Sequence, residues 1–192
     1  MRALDRLRKS GFELPEPPPR YQFVPVALVG DLAFVSGHAP YRDGAFRFKG
    51  KVGRKLDLSA AQQAAELALL GCLRSLHDRF ETLDAVKHIL KLNAYVNCVP
   101  NFHELPSVSD AASAILEEVF GEDGRHARTT VGVCSLPAGV AVEIELVVQV
   151  GIDRSEPKQN ARPRSHRRPA QPAKLPEQRK VCQNHDHLFS SL

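Results

Sequence analysis

Apolar and polar positions alternate along the chain with two periods, and together they lay out the elements. Residues 1–20 open with room for a short basic helix and run into Pro15-Glu16-Pro17-Pro18-Pro19, which stops any helix and reads as an extended lead-in. Gln22 to Leu28 predicts a strand whose Pro25 suits an edge or a bulge. Gly30-Asp31 turns the chain and Leu32 to Gly37 returns as a second strand, so a hairpin is expected. Ala45 to Gly53, punctuated by Gly44, Gly50 and Gly53, predicts a short third strand. Ser59 followed by Gln62 fits a capping box. The stripe Ala61, Ala65, Ala68, Cys72 and Leu76, widened by Leu69 and Leu73, then predicts a helix over 59–80. Val86 to Val96 is a mostly apolar strand with Lys87 and Lys91 outward, and Pro100 and Pro106 bracket a loop. Ser107 to Phe120 carries Val108, Ala111, Ala112, Ile115, Leu116 and Val119 at helical spacing. Thr129–Ser135 and Val140–Val150 predict two final strands, joined by Leu136-Pro137-Ala138-Gly139.

The resulting order, β-β-β-α-β-α-β-β, predicts an α+β two-layer domain: a mixed sheet with two helices on one face. Along the last strand Val142, Ile144, Leu146 and Val148 share one face, and Ala141, Val147 and Val150 are read as lying opposite. A sheet apolar on both faces with helices on one side calls for another chain, so an oligomer is expected. The competing expectation is that the N-terminal segment folds back over the bare face.

Composition narrows this picture. The chain has 192 residues, 43% of them hydrophobic, enough for one ordinary domain with an appendage. No apolar run reaches the ~18 residues of a membrane span, and the charged, proline-bearing N-terminus lacks the apolar stretch of a secretory peptide. Cys72, Cys98, Cys134 and Cys182 form no CxxC pair, which fits reduced thiols. A soluble cytoplasmic protein is therefore expected. The net charge of +4 belongs to the end of the chain: nine of the 26 Lys and Arg, against four of the 22 acids, lie beyond residue 151. With five prolines there and almost no large apolar side chain before Val181, residues 152–192 read as a disordered basic tail. Such a tail attracts nucleic acid through counterion release or is merely solvated, and no aromatic is interleaved among its bases for stacking. Cys182, His185 and His187 lack a fourth ligand, so no metal site is expected there.

Chemistry concentrates after residue 125. Arg128 stands where a loop passes into a strand, and its planar, permanently charged fork suits a carboxylate or phosphate. Glu143 and Glu145 share one face of an apolar strand, where a carboxylate is costly unless paired. Either an Arg128–Glu143 ion pair ties adjacent strands, or these residues form a site. His126, two residues before Arg128, is a candidate ligand contact; His38, His77, His88 and His103 read as ordinary histidines, with no zincin spacing. Cys134 reads as core. No GxGxxG or GKS/T loop is present, and Ser36-Gly37 lacks the elbow sequence of a serine hydrolase.

Two separated stretches carry a resemblance. Leu32-Ala33-Phe34-Val35-Ser36-Gly37-His38-Ala39-Pro40 is similar to the hairpin signature of the RidA (YjgF) family, with His38 replacing the usual glutamine. Ala127-Arg128-Thr129-Thr130-Val131, Leu136-Pro137 and Val142-Glu143-Ile144-Glu145 resemble its C-terminal signature, and the element order between them agrees from about Tyr21 to Val150. The domain scheme is then a lead-in over 1–20, a RidA-like domain over 21–151 and the tail over 152–192. The resemblance implies a chorismate-mutase-like fold, a homotrimer with clefts between subunits, and a hydrolytic deaminase of enamine/imine intermediates such as 2-aminoacrylate, without metal or organic cofactor. It gives Arg128 the substrate carboxylate and Glu143 the attacking water, with Tyr21, Ser36 and Gly37 lining the cleft. Thr130, where the family usually has cysteine, and His126 join the binding residues. Phe102 to Asp110 offers no match for the asparagine the family usually carries there, which marks a divergent paralogue. The other readings are a non-catalytic trimer that holds a small carboxylate such as a 2-keto acid, and an RNA-binding protein or endoribonuclease acting mainly through the tail.

Overall fold

The computed structural model describes residues 1–17 and 23–151. Expectations for Tyr21, for the start of the first strand and for the tail (its disorder, its nucleic-acid contacts, its Cys182 cluster) lie outside the described residues.

A five-stranded mixed sheet forms one layer, in the order β1-β2-β7-β5-β6: β1 (Val26–Val29), β2 (Leu32–His38), β5 (Val86–Asn97), β6 (Ala127–Val133) and β7 (Val142–Val150). The pair β5–β6 is parallel and the others are antiparallel. A parallel pair needs a crossover, and the helix α3 (Leu105–Phe120) supplies it. The long helix α2 (Leu58–Phe80) connects the N-terminal hairpin to β5. Its buried stripe is rich in small residues, with Ala61, Ala64, Ala65 and Ala68 all fully buried, and lies over the sheet together with Leu69, Cys72, Leu73 and Leu76. Asp57 caps this helix, its carboxylate accepting from the Ala60 amide at 2.8 Å, so the helix starts slightly before the expected Ser59–Gln62 box.

The expected third strand over 45–53 does not join the sheet. Tyr41–Arg42 (β3) and Ala45–Phe46 (β4) form a separate small hairpin, turned by Asp43 (φ 52) and Gly44 (φ 71). Positive φ at both central residues is what a tight two-residue hairpin turn requires, and Asp-Gly supplies it cheaply. Beyond β4, Phe48, Gly50 and Gly53 also take positive φ, which breaks any continuous strand.

The two sheet faces differ more than the apolar count suggests. Along β7 burial alternates strictly, with Val142, Ile144, Leu146, Val148 and Val150 against the helices and Glu143, Glu145, Val147 and Gln149 on the other side. Val150 therefore belongs with the helix-facing set, not opposite it, and Ala141 is fully buried just ahead of the strand. The open face is only partly apolar. It presents Phe34, 43% exposed, and Val131, 40% exposed, among polar side chains. Residues 1–17 do not cover it. The helix α1 (Ala3–Lys9) packs against α3, where Arg6 Nε donates to the Val119 carbonyl, and Ala3 and Leu7 are buried. Residues 11–16 then run along the helical layer, where Arg74 donates to the Pro15 carbonyl at 3.2 Å.

Candidate functional site

The residues singled out in the sequence fall into two groups. The first lies on the open face, around the end of β2. A bulge between Val35 and His38 shifts the β2–β7 register by one residue and brings Gly37 against Glu143. The fit is tight: a Cβ built on Gly37 would sit 2.0 Å from Glu143 Oε1. Ser36 Oγ donates to the Val24 carbonyl at 2.9 Å, so its hydroxyl anchors the segment leading into β1. Next along β7, Glu145 Oε1 accepts from Asn93 Nδ2 at 2.8 Å and from Tyr95 Oη at 2.9 Å. Glu143 makes no hydrogen bond with any described residue. Burial raises its carboxyl above the ordinary range, and the nearby Glu145 charge adds to this.

His38, beside this group, is buried. Its Nδ1 donates to the Ser36 carbonyl at 2.6 Å and its Nε2 accepts from Ser75 Oγ at 2.7 Å, which ties β2 to α2. Desolvation lowers its pKa and the Ser36 carbonyl partly offsets this. A shallow hollow beside Gly37 is walled by Pro15, Glu16, Ala39 and Tyr41.

The second group lies on the seam between β6 and α3. Arg128 Nη1 donates to Asp110 Oδ1 at 2.8 Å and to Ser113 Oγ at 3.0 Å. Ser113 Oγ in turn donates to His126 Nε2 at 3.0 Å, while His126 Nδ1 donates to the Gly124 carbonyl at 2.7 Å. Both nitrogens of the His126 ring are thus engaged within the chain. One turn away, Thr130 Oγ1 and the fully buried Ser109 Oγ are 2.6 Å apart. Ser109, Asp110 and Ser113 were not legible as site residues. Their spacing along one helix, opposite the alternating His126, Arg128 and Thr130, is the signal that would have exposed them.

The expected Arg128–Glu143 ion pair does not form. It assumed adjacent strands, whereas β5 lies between β6 and β7. Arg128 pairs across with Leu92 and Glu143 with Tyr95, three residues apart on β5, so the two side chains leave opposite faces of the sheet. Within one chain the arginine and the glutamate do not share a cleft. The Arg128 side chain is 26% exposed, and its Nε and Nη2 have no partner among the described residues. Nε and Nη2 thus keep hydrogen-bonding capacity that a carboxylate could use.

Cys134 is exposed just past β6 rather than in the core, and Cys72, fully buried, donates to the Ile144 carbonyl at 3.3 Å with its thiol pKa pushed well up by desolvation. Among the described residues no cluster of three His, Cys, Asp or Glu side chains is placed to hold a metal. No helix among them is long and apolar enough to cross a membrane. A cleft of about 670 Å³ between residues 11–16, α2 and the small hairpin shares Pro15 and Glu16 with the hollow beside Gly37 and contains none of the sequence-derived site residues.

The chain is similar to known proteins. Residues 4–148 match the model of the family described as "YjgF/chorismate_mutase-like, putative endoribonuclease". Protein TCP17 of Trypanosoma cruzi is 36% identical over 151 residues, spanning 78% of this chain and 94% of that protein. The crystal structure of Atu1372 from Agrobacterium tumefaciens superposes with a TM-score of 0.74 at 37% identity, covering 78% of this chain and 92% of that one. A Shewanella oneidensis structure described as a "putative endoribonuclease" gives a TM-score of 0.75 at 29% identity, over 78% of this chain and all of that one. With the matched region running from α1 almost to the end of β7, this chain belongs to the YjgF/chorismate-mutase-like family.

Proposed function

We propose that the protein is a hydrolytic deaminase of reactive enamine/imine intermediates, working as a homotrimer in clefts between subunits. The observation that carries this reading is the open edge of the Arg128 fork, held still by Asp110 and Ser113 through Nη1 while Nε and Nη2 remain available. A permanently charged group already oriented for a planar carboxylate loses little freedom on binding. Glu143 supplies the second function. Its raised proton affinity makes it a better base near neutral pH than an ordinary surface carboxylate.

The chemistry asks little of the protein, because a protonated imine already has an electrophilic carbon. Water adds to that carbon while its proton passes to Glu143, giving a carbinolamine. The same proton returns to nitrogen, Glu143 takes the hydroxyl proton as the C–N bond breaks, and a 2-keto acid and ammonia leave, the ammonia carrying that last proton away as ammonium. Orientation of substrate and water is the main contribution required. Since Arg128 and Glu143 leave opposite faces of one sheet, they act on one substrate only where the Arg128 edge of one copy meets the open face of the next. That is the reason for a composite cleft, and the partly apolar open face supports it.

Ammonia release from 2-aminoacrylate generated in situ tests the reading. Acceleration over buffer by the wild type, lost in Arg128→Ala and Glu143→Gln, is the expected result; no acceleration by an assembled oligomer overturns it. Turnover absent but carboxylate binding retained in an Arg128-dependent way selects the binding-only trimer instead. That second reading is favoured by the same separation of the two groups, since Arg128 alone suffices to hold a ligand. RNA cleavage is the third outcome, and the near balance of charge over residues 1–151 places its weight on the basic tail.

A further inference from the structure

Two cysteines outside the Arg128 and Glu143 groups come to lie side by side. The parallel pairing of β5 and β6 ends with Asn97 opposite Val133, and one step further sets Cys98 opposite Cys134. Neighbouring strands lie about 4.8 Å apart, inside the Cα separation of about 4.4–6.8 Å that a disulfide spans. Lys51 fastens the two backbones at this step, its Nζ donating to the Cys98 carbonyl at 3.3 Å and to the Cys134 carbonyl at 2.6 Å. The same Nζ donates to Asn97 Oδ1 at 3.0 Å, so the ammonium crosses on the face of Asn97. Alternation along β5 sends the Cys98 side chain to the other face. Its Sγ lies over Gly132, 2.9 Å from where a Cβ on that glycine would fall, beside Leu105. Position 134, two residues beyond Gly132, continues that face of β6. The lysine therefore holds the two backbones together without standing between the two sulfurs.

The two thiols differ in access. Cys134 is exposed, with Ser135 Oγ 4.0 Å from its sulfur, and Cys98 is half-buried. Cys72 is fully buried, its thiol on the Ile144 carbonyl. An outer thiol that meets an oxidant first, next to an inner one within one strand spacing, is the arrangement of an attacking and a resolving cysteine.

We infer that Cys98 and Cys134 form a reversible disulfide when the protein meets a hydroperoxide. The Cys134 sulfur, as thiolate, attacks one oxygen of hydrogen peroxide; the O–O bond breaks, and the departing hydroxide takes up the thiol proton as water. Cys134 is then a sulfenic acid. The Cys98 sulfur displaces its oxygen, the S–S bond forms as the S–O bond breaks, and the Cys98 proton leaves with that oxygen as a second water. The two thiols give up two electrons and two protons, and the peroxide is reduced to two waters. Because α3 lies between the two cysteines in the chain, the bond closes the β5–α3–β6 crossover on itself. It fastens the strand that carries Arg128 at that strand's far end. This inference does not depend on the reaction assigned to Arg128 and Glu143.

Hydrogen peroxide treatment of the full chain, followed by mass spectrometry of the intact protein and of its non-reduced peptides, tests the inference. The folded wild type is expected to lose the mass of two hydrogen atoms, to yield one cross-linked peptide pair joining Cys98 to Cys134, and to recover its thiols with dithiothreitol. Oxidised in denaturant, the same chain is expected to give a mixture of pairings among its four cysteines. Cys98→Ser and Cys134→Ser are each expected to abolish the internal bridge, and in Cys98→Ser the Cys134 sulfur gains oxygen instead. A folded wild type in which Cys134 only gains oxygen, in which two chains are joined through it, or whose pairings match the mixture formed in denaturant overturns the inference. Either serine variant that still forms an internal bridge at the wild-type yield overturns it as well.

Discussion

Glu143 lies in the space that any side chain at position 37 would occupy, with Oε1 2.0 Å from where a Cβ on Gly37 would fall. The glycine is required here by the close approach and not by its backbone angle. The colliding atom is the end of a flexible side chain, so an added methyl displaces the carboxylate without disturbing the backbone. Gly37→Ala is therefore expected to lower imine hydrolysis by about tenfold or more, since small misplacement of a reacting group is expensive. Its effect on unfolding free energy should stay within about 1 kcal/mol. Ammonia-release kinetics beside a denaturant melt separate the two; a large stability loss with normal kcat in the folded fraction contradicts the assignment.

The proton affinity of Glu143 has a second consequence. Burial, with help from Glu145, raises its folded pKa above that of an ordinary carboxylate. The native state then holds this proton to a higher pH than the unfolded chain does, so stability falls as pH rises from the ordinary carboxylate range through the raised value, and stays lower above it. Glu143→Gln removes the ionisation. It is expected to flatten that part of the profile and to raise the melting temperature at neutral pH by about 2–4 °C or less. Thermal melts between about pH 4 and 8 measure this, and a melting temperature lowered at neutral pH would mean that Glu143 is held by a partner in its charged form.

His38 shows the opposite sign. With Nδ1 donating to Ser36 and Nε2 accepting from Ser75, the buried ring is in its neutral form, and desolvation keeps its pKa below that of an ordinary histidine. Protonation costs the folded state more than the unfolded one, so this contribution is intact above about pH 6.5 and is lost as pH falls below it. The variant His38→Gln, which puts the family's usual residue at this position, is expected to lose that acid-side slope. Ser75→Ala leaves Nε2 without its donor and is expected to cost about 1–2 kcal/mol at neutral pH, less in acid. Chemical denaturation at two pH values checks both.

The long elements were legible because each carries one period over many residues. Leu69, Cys72, Leu73 and Leu76 mark one face of α2, and Val142 to Val148 mark one face of β7. The small hairpin escaped because two-residue strands have no period, and its only signal is Asp43-Gly44. The site was half legible. Arg128 and Glu143 stand out as charges in apolar strands, but which strand lies between them is a matter of topology, and only the sheet order separates them. Asp110 was hidden for a different reason: an acid on an amphipathic helix looks like an ordinary solvated position until β6 is placed beneath it.

Phe34 and Val147 pair across β2 and β7 on the open face, where no helix of the described residues reaches them. Phe34 is 43% exposed and is flanked by Ala27 and Val147 on its neighbouring strands, an apolar patch suited to contact with another copy. If neighbouring copies meet on this face, a charge there must be desolvated at the contact, and Phe34→Glu should dissociate the oligomer. In an isolated chain the same change sits on the surface and should alter stability little. Sedimentation or light scattering is expected to show trimer for the wild type and monomer for Phe34→Glu, with imine hydrolysis lost in step because Arg128 and Glu143 no longer meet. A wild type that is monomeric at micromolar concentration yet hydrolyses imines would remove the composite cleft, since one chain holds those two residues on opposite faces of its sheet.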